Sequence, residues 1–163
     1  MAIANSNGFK AQNYESQTNI FSWQQTYFDH YSSVKSYLVM DIEHFYINSN
    51  EFIALANYQS HGPNNNYNGA LSEIFKLDFD QKKWVSIQTV ETFGAIDWEF
   101  FTIGFGKKQK YFLSIANSFD SAVQKPSMIY QFVGGRFVQF QWLLTDGAQQ
   151  IKAIKGMKID FEL

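Results

Sequence analysis

Asp41-Ile42-Glu43-His44-Phe45-Tyr46-Ile47 and Asp97-Trp98-Glu99-Phe100-Phe101-Thr102-Ile103 read as two copies of one segment, and their alignment decides the fold. Side chains alternate across a strand, so in Asp97-Trp98-Glu99-Phe100 the carboxylates take one face and the aromatics the other. Working outward, three more series recur in the same order. Ile20-Phe21-Ser22-Trp23, Ile74-Phe75-Lys76-Leu77 and Ile129-Tyr130-Gln131-Phe132 lie 54 and 55 residues apart. Phe28, Trp84 and Phe137 follow the isoleucines by 8, 10 and 8 residues, and Asp41, Asp97 and Gln150 come 13 residues later in every case. Ala2-Ile3-Ala4-Asn5, Ala54-Leu55-Ala56-Asn57 and Ser114-Ile115-Ala116-Asn117 precede them. A constant order and offset marks an internal repeat, not a chance likeness of apolar runs.

Each series reads as a strand. In the last copy two strands are joined by Val133-Gly134-Gly135-Arg136, a two-residue hairpin signal because both central positions need positive φ. Four antiparallel strands at a period of this length describe a propeller blade. The expected fold is all-β, with blades of four antiparallel strands in one domain over 1–163. The repeats fall near 1–37, 38–93 and 94–149, with closing strands over 150–163.

Composition agrees. Of 163 residues 18% are aromatic and 17% charged, a balance that suits half-buried pleated surfaces. Net charge is −2 and the 13 basic residues form no run, so phosphate neutralisation of a nucleic acid is unsupported. No Lys/Arg-rich amphipathic helix and no apolar run of spanning length suggests membrane insertion. Cysteine is absent, which excludes disulfides and thiolate metal sites. The opening MAIANSNGFK lacks a signal-peptide pattern, so the expectation is a soluble protein.

Phe93-Gly94-Ala95 followed by Asp97-Trp98-Glu99-Phe100-Phe101-Thr102-Ile103-Gly104 resembles the EAR (EPTP, epitempin) repeat. So do Phe112-Leu113-Ser114-Ile115-Ala116-Asn117, Met128-Ile129-Tyr130 and Phe137-Val138-Gln139-Phe140-Gln141. The first repeat departs from the pattern, with Leu38-Val39 where Gly-Ala belongs, and the last reads Gln150-Ile151-Lys152 in place of Asp-Trp-Glu. The resemblance implies a propeller that binds protein partners at the cell surface, with an extracellular or secreted location and metal ions in its channel.

Propellers close with about four to eight blades, and three would leave bare edges. The expectation is a homodimer whose two copies share blades and close a six-bladed ring. A fragment of a larger propeller is the alternative.

Asp41, Glu43, Asp97 and Glu99 are candidate Ca²⁺ ligands lining the channel, since Ca²⁺ takes six to eight oxygens. The competing reading is a channel of hydrogen bonds in which Lys152 pairs with the carboxylates. The same pairs are the residues a glycosidase would need, but groups repeated with the structural period belong to the blade more readily than to one active site. No other catalytic constellation appears: His30, His44 and His61 fall at different repeat positions. Gly104-Phe105-Gly106-Lys107-Lys108 joins two expected antiparallel strands and so lacks the context of a phosphate loop.

Asn5, Asn57 and Asn117 recur at one point of each blade, where asparagine suits a structural turn. The loop over 58–70 mixes amide and aromatic groups. Tyr58, His61, Asn64, Asn66, Tyr67 and Asn68 are its candidate glycan ligands, by hydrogen bonding and stacking. Trp23, Trp84, Trp98, Phe75 and Phe101 are expected in the core. Together these features describe a non-enzymatic recognition module. Lectin-like multivalent binding of a glycan or cell-surface glycoprotein leads, with protein–protein recognition in adhesion or signalling as the alternative.

Overall fold

The computed structural model of the protein describes residues 1–3, 15–58, 70–118 and 126–154. They form three antiparallel sheets. The first contains β1 (Ala2–Ile3), β2 (Glu15–Trp23) and β3 (Phe28–Tyr37). The second runs β4 (Val39–Ile47), β5 (Asn50–Asn57), β6 (Ala70–Asp78) and β7 (Lys83–Thr92). The third runs β8 (Ala95–Ile103), β9 (Lys110–Asn117), β10 (Ser127–Val133) and β11 (Arg136–Leu143). The second and third are four-stranded meanders, the blades of a propeller-type repeat.

Register shows why the sequence repeats. The ladder breaks by one residue at Ile20/Phe21, Ile74/Phe75 and Ile129/Tyr130, the same joint of the repeated Ile-aromatic pair. It breaks again between Val39 and Asp41 and between Ala95 and Asp97. These bulges re-aim the strands at equivalent points of every blade.

The core lies between sheets. Phe45, Phe52 and Ile74 of the second sheet meet Trp98, Leu113, Ile115 and Phe137 of the third. Ile20 and Val34 of the first meet Ile53, Leu55 and Phe75 of the second. β5 is covered on both faces. Its Ala54, Leu55 and Ala56 have no exposure, and the small alanines let neighbouring sheets approach. Trp98 is fully buried and Phe75 nearly so, as expected, while Trp84 and Phe101 are only partly buried. Trp23 is not core: it is 57% exposed, because the face of the first sheet that carries it meets no other sheet among the described residues. Trp142 lies within β11 and is also exposed. Of the closing segment expected to be strand over 150–163, residues 150–154 join no ladder and 155–163 lie outside the described residues.

The turns follow local chemistry. Gly134 and Gly135 both have positive φ, 59° and 84°, as the two-residue hairpin requires. Gly106–Lys108 is one 3-10 turn between antiparallel β8 and β9, so no helix follows that glycine pair.

Gly94 turns into β8 at φ 58°, and Leu38 makes the same turn into β4 at φ 46°. The first repeat thus keeps the backbone of the second while carrying a residue that the left-handed region disfavours by about 1–2 kcal/mol. Leu38→Gly is expected to raise unfolding free energy by up to about 1 kcal/mol in urea titration, since part of the relief is lost to the freer unfolded chain. Gly94→Leu is expected to lower it.

Candidate functional site

The innermost strands β4 and β8 run side by side, and two of the four singled-out carboxylates, Asp41 and Glu43, bridge them. Trp98 N–H donates to Asp41 Oδ2 at 2.9 Å, and Phe100 N–H donates to Glu43 Oε1 at 2.8 Å. The pattern repeats one blade on. Ile151 N–H donates to Asp97 Oδ2 at 2.8 Å, and Ala153 N–H donates to Glu99 Oε1 at 3.2 Å. Lys152 Nζ adds an ion pair to Glu99 Oε2 at 2.8 Å and lies 3.9 Å from Asp97 Oδ1. Residues 150–154 therefore occupy the innermost-strand position of a further blade, with Ile151 equivalent to Trp98 and Ala153 to Phe100.

A second set of bonds staples the opposite strand ends. Asn57 accepts from Tyr37 N–H at 3.0 Å and donates to Leu71 O at 2.8 Å, while its own N–H meets Ser72 Oγ at 3.1 Å. Asn117 repeats this with Phe93 N–H, Pro126 O and Ser127 Oγ. At Asn57 and Asn117 the recurring asparagine is structural, as expected, but it reaches the preceding blade as well as its own, while Asn5 lies outside the described residues. At the rim, Gln88 of β7 clamps Phe137 of β11, donating to its carbonyl at 2.7 Å and accepting from its N–H at 2.9 Å.

Burial raises the Asp41 and Glu43 carboxyls above their ordinary values of 3.8 and 4.5, although the N–H bonds partly offset it and neighbouring carboxylates add to it. The Glu99 bond raises Lys152. As placed, these carboxylates do not fit a Ca²⁺ cage. Each commits an oxygen to a backbone N–H, and an ammonium group already sits on Glu99. Among the described residues no three His, Asp or Glu side chains come close enough to hold a metal.

Of the candidate glycan ligands only Tyr58 is described, partly buried with its N–H on Leu38 O at 3.2 Å. His61, Asn64, Asn66, Tyr67 and Asn68 lie outside the described residues. His44 meets Glu51 at 2.9 Å and His30 meets Ser33 at 2.8 Å, each a local pair. What sequence reasoning passed over is the other end of the blades. In a four-stranded meander the first and third turns share one end. That end carries Tyr27, Tyr46, Phe79 and Phe105, exposed by 60, 53, 57 and 78%. Phe79 between Asp78 and Asp80, and Phe105 between Gly104 and Gly106, were the available signal. An aromatic at a hairpin tip contributes little to a core.

Residues 83–132 match the EPTP domain family. Over 124 residues, 74% of this chain, the sequence is 33% identical to the human thrombospondin-type laminin G domain and EAR repeat-containing protein, and 30% identical to its mouse counterpart. The chain spans 17% of the length of each of these relatives.

The matched segment contains Asp97 and Glu99, so the energetics of the carboxylate bridge bear on the whole repeat. Asp41→Ala leaves the Trp98 N–H without its acceptor and is expected to cost about 1–3 kcal/mol by urea unfolding. Asp41→Asn keeps an acceptor oxygen and is expected to cost less. A carboxyl that titrates higher in the folded chain holds its proton more tightly there. Its contribution is full below the ordinary value of 3.8 and is lost as pH rises through the raised folded value. Stability of the unaltered chain relative to Asp41→Asn should therefore fall as pH climbs from 3.8 through the raised folded value.

Proposed function

Because this chain belongs to the EAR/EPTP repeat family, we propose that it is a non-catalytic protein-recognition module acting in adhesion or signalling outside the cell. The observation that carries this reading is the aromatic end of the blades. Tyr27, Phe79 and Phe105 stand on separate hairpin tips of a rigid sheet scaffold, each more than half exposed. Large aromatics raised on rigid turns are what protein interfaces use as anchors, because they bury much area at small entropic cost. The carboxylates that hydrolytic chemistry would need are engaged between strands. Among the described residues no helix is long and apolar enough to cross a membrane. Glycan binding through the 58–70 loop is the competing reading, with Tyr58 as its one described contact residue.

Binding to a panel of purified cell-surface ectodomains, run beside a glycan array, separates the two. The expected result is saturable binding to an ectodomain that survives enzymatic deglycosylation. It should weaken at least about tenfold in a Phe79→Ser/Phe105→Ser variant of unchanged circular dichroism, a loss typical of anchor residues. Retention on the array, competed by a simple sugar, would replace this proposal with the lectin reading.

A further inference from the structure

The faces at the two ends of the three-sheet array repeat the two halves of an interface already present in its middle. Between the second and third sheets, the receiving side is built on Phe45 stacked on Phe52 at 5.4 Å, with Gln88 at the rim. The entering side presents Tyr130, Phe132 and Phe137. The outer face of the third sheet rebuilds the receiving side. Phe101 is stacked on Phe112 at 5.3 Å, and Gln141 pairs with Ile129 as Gln88 pairs with Ile74.

The first sheet carries the entering side. Phe21, Trp23 and Phe28 stand at the register positions of Tyr130, Phe132 and Phe137. The Trp23–Phe28 ring pair, 5.0 Å apart and tilted 54°, matches the Phe132–Phe137 pair at 5.1 Å and 60°. Yet Phe137 is 2% exposed and Phe28 is 49% exposed.

The innermost positions complement each other in the same way. The first sheet has no innermost strand among the described residues. β1 pairs with β2 on one edge, and a cleft of about 500 Å³ lined by Ala2, Ile20, Ile42, Ile53 and Trp84 lies alongside. Trp84 Nε1 is buried there without an acceptor among the described residues. At the other end, residues 150–154 hold an innermost-strand position on Asp97 and Glu99, and no second strand lies beside them among the described residues. Ile154 stands at the register position of Phe45, which is 3% exposed, but is itself 90% exposed. Ile42 N–H, equivalent to the Trp98 donor, meets Asp41's own carboxylate.

We propose that the occupant of both ends is a second copy of this chain. Residues 150–154 of one copy form the innermost strand of the blade whose remaining strands are β1–β3 of the other. The aromatic triad of that blade packs on Phe101 and Phe112, and Gln141 clamps the backbone of Phe28. Two copies related by a two-fold axis make the contact twice and close a six-bladed ring with two composite blades. The repeat register sets Lys152 opposite Ala2, as Glu43 stands opposite Ala54 and Glu99 opposite Ser114.

Light scattering on the eluting 163-residue chain reads the outcome. The expected mass is twice 18.9 kDa and independent of concentration. Trp23→Glu, at a site already exposed within one copy, should halve that mass without changing circular dichroism. Ala2→Cys/Lys152→Cys should form a covalent dimer on a non-reducing gel, against a background free of other thiols. A mass of 18.9 kDa, or one that climbs with concentration, overturns the ring. So does a dimer that survives Trp23→Glu and gives no cross-link, because its two copies then meet elsewhere.

Discussion

The structure depends on a bond between a carboxylate and a backbone N–H. An innermost strand such as β8 pairs with β9 along one edge and turns its other edge to the axis, where no strand among the described residues pairs with it. Unpaired edge groups cost free energy and invite foreign strands. Asp41 and Glu43 answer two of those N–H groups from the preceding blade, with charge-assisted bonds at 2.9 and 2.8 Å. One pair of side chains thus closes an edge and sets the axial register of the next sheet. Burial makes the two acids reluctant to ionise, and the N–H bonds partly offset it.

With the axial register set, the remaining contacts have little freedom. Trp98 fills the space between the second and third sheets, the stacked Phe45–Phe52 pair meets Phe132 and Phe137, and Gln88 holds the outer strands together. Asn57 and Asn117 secure the far ends, each tying a strand to the end of the blade before it. Stability is therefore distributed at axis, middle and rim, and each blade relies on the one preceding it. That dependence between neighbours is the general property of repeat architectures.

Much of this was legible in the residues. The Ile-aromatic pairs revealed the repeat because they mark bulges, and bulges recur wherever blades do. The Gly134-Gly135 turn was readable from its need for positive φ. Leu38 was a departure in sequence but none in backbone, since the same turn forms around it. Trp23 was misread because a repeat position says which face a residue takes, not whether anything covers that face. The carboxylates were located, yet their partners were invisible. A backbone N–H some 54–57 residues away carries no side-chain signature. The amide-rich 58–70 loop attracted attention by composition, whereas Phe79 and Phe105 sat in plain view as aromatics with no core to enter.

The bridge between innermost strands asks for chemistry on one side only. The accepting blade must supply an Asp and a Glu two residues apart. The donating strand need only be extended and offer its amides, which every residue but proline possesses. Tolerance to substitution is accordingly lopsided. Trp98 and Ile151 differ widely in size, and Gln150-Ile151-Lys152 lacks both acids, but it docks on Asp97 and Glu99 as Trp98 and Phe100 do on Asp41 and Glu43. A strand that has lost its carboxylates can still be held, though it cannot hold a successor in the same way. Sequence drift in such an array would accumulate first in blades that have nothing left to grip.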